Sequence, residues 1–319
     1  MALSPNLSSR QTASFLIRRF KEAGLHPDTR RGQNFLVDLN LVRLLADSAE
    51  LSSDDVVLEV GTGLGSLTSL MAPHAAAVVT VEIDRQLYQL AAEELMDFGN
   101  VTMLRQDALK NKNQMDPTLI AAVQKQLAAA PQRRLKLVAN LPYNIATPIV
   151  SNLLETSVLP FSMTVTIQKE LADRITARPR TKDYNALSIW LQAQCATRIV
   201  RIMPPTVFWP RPKVNSAIIQ IIPDLDRRNR ITDLAFFHRF VRAMFFHRRK
   251  FLRSGLLSAF KKQLDKPAVD DVMAAQGLVP DSRAEQLDVD AMLLLCDAVR
   301  EKLNAGEGEN GKAEPADVH

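Results

Sequence analysis

Residues 56–65 read Val-Val-Leu-Glu-Val-Gly-Thr-Gly-Leu-Gly, and the fold follows from how they divide. Val56–Val60 is an apolar run of strand length, as expected of a strand buried on both faces. The glycines after it let the chain turn tightly and bring bare backbone up to a ligand. Ser66–Met71 then resumes with a helical pattern. Alone, such a turn is weak evidence, because nicotinamide dehydrogenases share it.

Working outward, the same alternation repeats. Strands are expected at Ala77–Ile83, Val101–Leu104, Leu135–Ala139, Met163–Ile167, Arg198–Ile202 and Ser216–Ile222, with helices at Arg85–Phe98 and Tyr184–Cys195. Strand-helix alternation of this length predicts a doubly wound, seven-stranded, mostly parallel α/β sheet. Two stretches break the rhythm. Lys110–Arg134 is long for a connection and contains a helical pattern at Pro117–Ala130, which reads as a surface insertion. After Pro223 the strand signal stops, and Leu234–Leu303 reads as helices. Thr12–Ala23 reads as an amphipathic helix ended by Gly24, with an acid-free, transit-peptide-like segment as the alternative. The expected divisions are an N-terminal helical extension over 1–31, the sheet domain over 32–223, a helical domain over 224–305 and a disordered tail over 306–319.

Candidate chemistry gathers where strands end, since ligands in open α/β folds sit beyond the carboxyl ends of the strands. Glu82 closes the second strand about 20 residues past Gly61, the position of a carboxylate that accepts both ribose hydroxyls. Asp107 follows the third strand and suits an adenine amine, or equally a helix N-cap. Past the fourth strand stands Asn140-Leu141-Pro142-Tyr143-Asn144. Pro142 stiffens this loop and holds Leu141 extended. The side-chain oxygen of Asn140, with a loop carbonyl, can accept the N–H bonds of an adenine amine and draw its lone pair out of conjugation. Tyr143 can stack on an extruded base. The plain alternative is an ordinary proline-containing turn. These parts describe an adenosine-bearing cofactor. A dehydrogenase needs hydride-transfer partners opposite the loop, and no His/Lys/Tyr constellation is evident. S-adenosylmethionine fits better: its methyl is already activated, and alignment is the protein's task. That chemistry calls for neither a metal nor a covalent nucleophile, and the residues offer neither.

The bulk composition bounds the rest. The 319 residues are 46% hydrophobic, ample for a core. No apolar run approaches the ~18 residues of a membrane span, and no secretory signal is expected. Cys195 and Cys296 stand in separate stretches without metal or disulfide spacing, as in a reducing cytosol. The net charge of +5 is concentrated: no acid occurs from Leu234 to Leu264. There Arg239, Arg242, Arg248, Arg249, Lys250 and Arg253 alternate with phenylalanines at helical spacing. The basic face points to nucleic acid, and the phenylalanines to core. Lys213 and Arg211 either contact RNA or solvate a hairpin. Arg174, Arg178, Arg180 and Lys182 flank an expected flexible loop over Ala177–Asp183.

Taken in order, Gly32–Asp38, Glu59–Gly65, Glu82–Asp84, Gln106–Ala108, Asn140–Asn144, Gln168–Glu170, Phe208–Ser216 (FWPRPKVNS) and Arg248–Lys250 resemble the small-subunit ribosomal RNA adenine dimethyltransferases. That resemblance spans roughly residues 10 to 300. It implies a class I S-adenosylmethionine-dependent methyltransferase domain with a small all-α C-terminal domain. It places Asn34, Leu36, Gly61, Glu82, Asp107 and Asn140 at the methyl-donor site, with Gln33, Glu59 and Gly63 in the same motifs. It assigns Asn140, Tyr143 and Phe208 to the target adenine, Phe208 as the second stacking ring. RNA contact is assigned to Lys213, Arg248, Arg249, Lys250 and Arg253, and metal to none. The implied reaction is N6,N6-dimethylation of two adjacent adenosines near the 3′ end of small-subunit rRNA. A monomer acting on immature small subunits in the cytoplasm is expected. Three departures stand out. Thr62 replaces the usual proline between glycines, Trp209 is bulkier than the common residue, and the 110–134 connection is long. Competing readings are the related large-subunit rRNA methyltransferases of macrolide resistance, a DNA adenine methyltransferase, and a non-catalytic ribosome-assembly factor.

Overall fold

The glycine turn closes the second strand of the chain, which lies third across a seven-stranded sheet. The computed structural model describes residues 13–22, 24, 26–28, 32–246, 250–261 and 263–310. In chain order the strands are β1 (Phe35–Leu36), β2 (Asp55–Val60), β3 (Ala77–Glu82), β4 (Val101–Arg105), β5 (Leu109–Asn111), β6 (Gln114–Met115), β7 (Arg134–Asn140), β8 (Ser162–Gln168), β9 (Cys195–Met203), β10 (Phe208–Trp209) and β11 (Ser216–Pro223). The main sheet runs β4-β3-β2-β7-β8-β11-β9. Strands β4, β3, β2, β7 and β8 pair in parallel, and β11 is antiparallel to β8. Every residue of β2 and β3 is buried, which is why both are mostly aliphatic, with Asp55, Glu59, Thr80 and Glu82 as the polar exceptions.

Helices α1 (Ala13–Glu22), α2 (Leu39–Asp47), α3 (Ser66–Met71), α4 (Arg85–Leu95), α5 (Pro117–Leu127) and α6 (Ala146–Leu153) accompany this sheet. Their starts are chemically marked. Asp38, Asp84 and Asp116 each accept backbone N–H bonds at the first turn of α2, α4 and α5, satisfying donors that a helix start leaves open. At the opposite end of the sheet, Asp55 is buried between Arg134 (2.7 Å) and Lys136 (3.0 Å). Burial works against its charge, but those two partners outweigh it and hold the carboxyl below its usual range. Lys136 also donates to the carbonyls of Ala49 and Glu50, just past α2.

Contacts divide the chain into two compact units, Met1–Ala172 with Ala196–Pro223, and Asp173–Cys195 with Asp224–His319. The second takes in a segment that the linear order places among the strands. Around it stand α7 (Lys169–Ile175), which straddles the division, and α8 (Ala186–Gln192), α9 (Leu225–Asn229), α10 (Leu234–Phe246), α11 (Leu252–Ala259), α12 (Lys266–Ala275) and α13 (Val289–Asn310). Within the second unit Trp190 of α8 stacks on His238 at 4.3 Å. Phe236, Phe240 and Phe260 stack on one another at 6.1–6.2 Å, with Phe240 buried and the other two half-buried.

Several details differ from the sequence reading. Residues 177–183, expected as a flexible loop, are tied down: Arg180 N–H donates to Glu285 O at 2.8 Å, and the Tyr184 hydroxyl just beyond donates to Leu287 O at 2.9 Å. The long 110–134 connection holds the hairpin β5–β6 before α5. Helix α13 continues to Asn310, past the expected tail boundary; residues 311–319 lie outside the described ones, as do Arg248 and Arg249. No helix among the described residues is long and apolar enough to cross a membrane.

Candidate active site

Beyond the carboxyl ends of β2, β3, β4 and β7 lies a cleft of about 1200 Å³, open to solvent. Gln33, Asn34, Leu36, Glu59, Gly61, Gly63, Glu82, Asp107 and Asn140 all line it. Residues distant in sequence meet there because parallel strands deliver their following loops to one edge.

Glu82, 5% exposed, accepts from Gly63 N–H at 3.0 Å and from Asp84 N–H at 2.9 Å. The carboxylate thus pins the glycine turn and the start of α4 together. Burial raises its carboxyl above the usual range, and the two N–H bonds oppose that rise. Glu59, 1% exposed, lies deeper. Thr68 and Thr80 hydroxyls donate to one of its oxygens at 2.5 and 2.8 Å, and Thr80 meets Thr62 at 2.6 Å. Burial pushes the Glu59 carboxyl up to about 8, so at neutral pH it is largely uncharged. Thr62, through Thr80, joins this buried polar network.

Asp107 is exposed and accepts Leu109 N–H at 2.9 Å. It caps the approach to the β5–β6 hairpin, not a helix. Gln33 is committed in part, since its side-chain oxygen accepts Asp28 N–H at 2.7 Å. Asn34 donates to Gly32 O at 3.1 Å. Gly32 has φ +70°, and a Cβ there would come within 3.0 Å of Tyr143 N. Only glycine lets the 32–38 segment approach the Asn140 loop so closely.

Asn140 Nδ2 donates to Asn34 O at 2.8 Å. Since only the amide nitrogen can satisfy that carbonyl, the bond also fixes which way the carboxamide faces. Its oxygen is buried, and no partner for it stands among the described residues. A buried acceptor without a donor is costly, about 1–3 kcal/mol, and such a group marks where a ligand donor belongs.

The two aromatic assignments fare differently. Tyr143 is half-buried, with its hydroxyl 2.5 Å from Ser216 Oγ at the start of β11, and burial raises its ionisation above the ordinary phenol value. It does not line the cleft itself. Phe208, expected as the second stacking ring, is 3% exposed and packs in the core with Leu36, Val42, Met203 and Ile218. β10 pairs it with Leu36 across an antiparallel two-residue ladder. In this arrangement Phe208 supports the floor of the site and presents no face to a base.

Among RNA-contact candidates, Lys213 and Lys250 are exposed. Arg253 is instead held by Asp270 through two bonds of 2.5 and 2.7 Å. Sequence reasoning missed Leu16, Ile83 and Asn144, which also line the cleft. Leu16 was findable from the i, i+4 apolar pair it forms with Phe20 in α1. Ile83, 48% exposed in the structure, was findable as an aliphatic between two acids.

Comparison with known proteins accords with this geometry. Residues 26–297 match the family model "Ribosomal RNA adenine dimethylase". The ribosomal RNA small subunit methyltransferase A of Halothermothrix orenii is 37% identical over 281 residues, covering 88% of this chain and 90% of that protein. Its counterpart from Streptococcus gordonii is 41% identical over 271 residues, covering 84% and 90%. In fold, the chain is similar to a dimethyladenosine transferase from Plasmodium falciparum (TM-score 0.67, 23% identity, 83% of this chain and 97% of that one). It is also similar to the 23S rRNA methyltransferase ErmE (TM-score 0.57, 23% identity, 83% and 99%). With the match running through nearly the whole of both units, the chain belongs to the ribosomal RNA adenine dimethylase family.

Proposed function

We propose that this chain dimethylates N6 of two adjacent adenosines near the 3′ end of small-subunit rRNA, with S-adenosylmethionine as donor. The observation that carries the reading is the buried, partnerless Oδ1 of Asn140, an acceptor aimed where an exocyclic amine has a donor to offer. The donor set of the cleft fits S-adenosylmethionine. Glu82 would hold the ribose hydroxyls, Asp107 the adenine amine, and the Gly61–Gly63 turn the region nearest the sulfonium. When bound, S-adenosylmethionine supplies an activated methyl group.

The chain's own residues supply alignment. Asn140 Oδ1 accepts one N–H of the target amine and turns its lone pair out of the ring plane. Asn34 O, by holding Nδ2, keeps that oxygen from rotating away. Tyr143 offers a ring to stack on the flipped base, steadied by Ser216. The amine loses its proton only after alkylation, so no base is needed before attack. Lys213, Arg248, Arg249 and Lys250 are assigned to phosphate contact. We assign a monomer, acting on immature subunits in the cytoplasm.

The test is methyl transfer to unmethylated small subunits, with modified positions read by mass spectrometry. Two adjacent dimethyladenosines near the 3′ end of the small-subunit rRNA are expected. Methylation found only on large-subunit rRNA, or none in the presence of bound donor, overturns the reading.

A further inference from the structure

Helix α1 is not a bystander to the cleft. Leu16, on its buried face, lines the cleft directly. One turn on, Phe20 is 3% exposed and meets two rings edge-on, Phe35 at 5.2 Å and Trp209 at 4.9 Å. Trp209 in turn stacks on Phe35 at 6.3 Å, and the register pairs these two residues across β1 and β10. Phe35 lines the cleft, whereas Trp209 does not. The far edge of Phe35 lies against the glycine turn: a Cβ on Gly63 would sit 3.3 Å from its Cε1. Gly63 N–H is the group that Glu82 accepts at 3.0 Å.

We propose that Trp209 is a positioning residue for donor binding: with Phe20 it wedges Phe35 against the Gly63 turn and clamps helix α1 over the cleft. The three rings form one unbroken contact path from Trp209 to the Glu82 carboxylate. Removing the indole leaves Phe35 unsupported on one side and frees the helix that carries Leu16. The inference rests on the donor site assigned above, and its test therefore reads donor binding apart from RNA methylation.

Calorimetric titration of the RNA-free protein with S-adenosylmethionine should show Trp209→Ala binding on the order of tenfold more weakly, as two lost ring contacts imply, with Trp209→Phe close to the parent. In steady state the donor KM should rise in parallel, while the KM for small subunits and kcat at saturating donor hold. Unchanged donor affinity in Trp209→Ala, or an equal loss in the subunit KM, overturns the proposal. If Trp209→Ala does not fold, Phe20→Leu probes the same wedge from α1. Weaker donor binding there supports the clamp, and parent-like binding overturns it. A parent protein that binds donor but methylates no subunit refutes the function proposed above and leaves this inference standing.

Discussion

The carboxamide nitrogen of Asn140 is bonded at 2.8 Å to the main-chain carbonyl of Asn34, a residue 106 positions earlier. One contact therefore does two things. It joins the 32–38 segment to the Asn140 loop, and it decides that the oxygen, not the nitrogen, is left buried without a partner among the described residues. Asn140→Ala should lower kcat about 10²- to 10³-fold, the usual loss for one well-placed polar group. Asn140→Asp keeps an acceptor but sets a carboxylate against Asn34 O, so it should fare little better. Melting temperature separates this from unfolding: a variant that keeps both its fold and its turnover would remove Asn140 from the chemistry.

The Tyr143 hydroxyl meets Ser216 Oγ at 2.5 Å. Tyr143→Phe keeps the ring and should cost only a few-fold in activity. Tyr143→Ala loses the stacking surface, worth roughly 1–3 kcal/mol per base. The measurement is the KM and kcat of both variants on small subunits, and equal losses in the two would mean that the hydroxyl, not the ring, matters.

On the helical unit, the partners of the basic residues decide their worth. Lys250 is exposed and unpaired among the described residues, whereas Arg253 is tied to Asp270. Lys250→Ala should reduce the slope of log affinity against log salt by about one. Arg253→Ala should change it less, and Asp270→Ala, which frees the guanidinium, should strengthen RNA binding. Charge reversal at Arg248, Arg249 and Lys250 together should flatten the salt dependence most. Binding isotherms at several salt concentrations check all four.

What could be read in advance was governed by distance along the chain. β2 and β3 announce themselves because full burial makes most of their positions aliphatic, and the glycine turn follows directly. Glu82, Asp107 and Asn140 were found because each closes or closely follows a strand, and parallel strands send their ends to one rim. The pairing of Phe35–Leu36 with Phe208–Trp209 had no such local mark. Each partner is two residues long, and the ladder joins segments far apart. Phe208 looks the same in sequence whether its ring faces a base or the core; only the β10 register turns it inward. The tie between Arg180 and Glu285, likewise, is a backbone bond that no side-chain pattern encodes.

Glu59 offers a test that needs no substrate. Its carboxyl is buried with two threonine hydroxyls, and its pKa is pushed from 4.5 up to about 8. The folded chain therefore holds a proton that the unfolded chain releases above pH 4.5. Stability contributed by this group is complete below pH 4.5, falls as pH rises toward 8, and is level beyond. Across that window the loss should amount to roughly a few kcal/mol. Glu59→Gln keeps the shape and an oxygen for Thr68 and Thr80 but cannot ionise. Its unfolding free energy should match the parent's near pH 5 and exceed it near pH 9. Denaturant titrations at both values decide the matter: parallel pH profiles for the two proteins would mean that Glu59 is charged in the fold and that the threonines, not a proton, stabilise it.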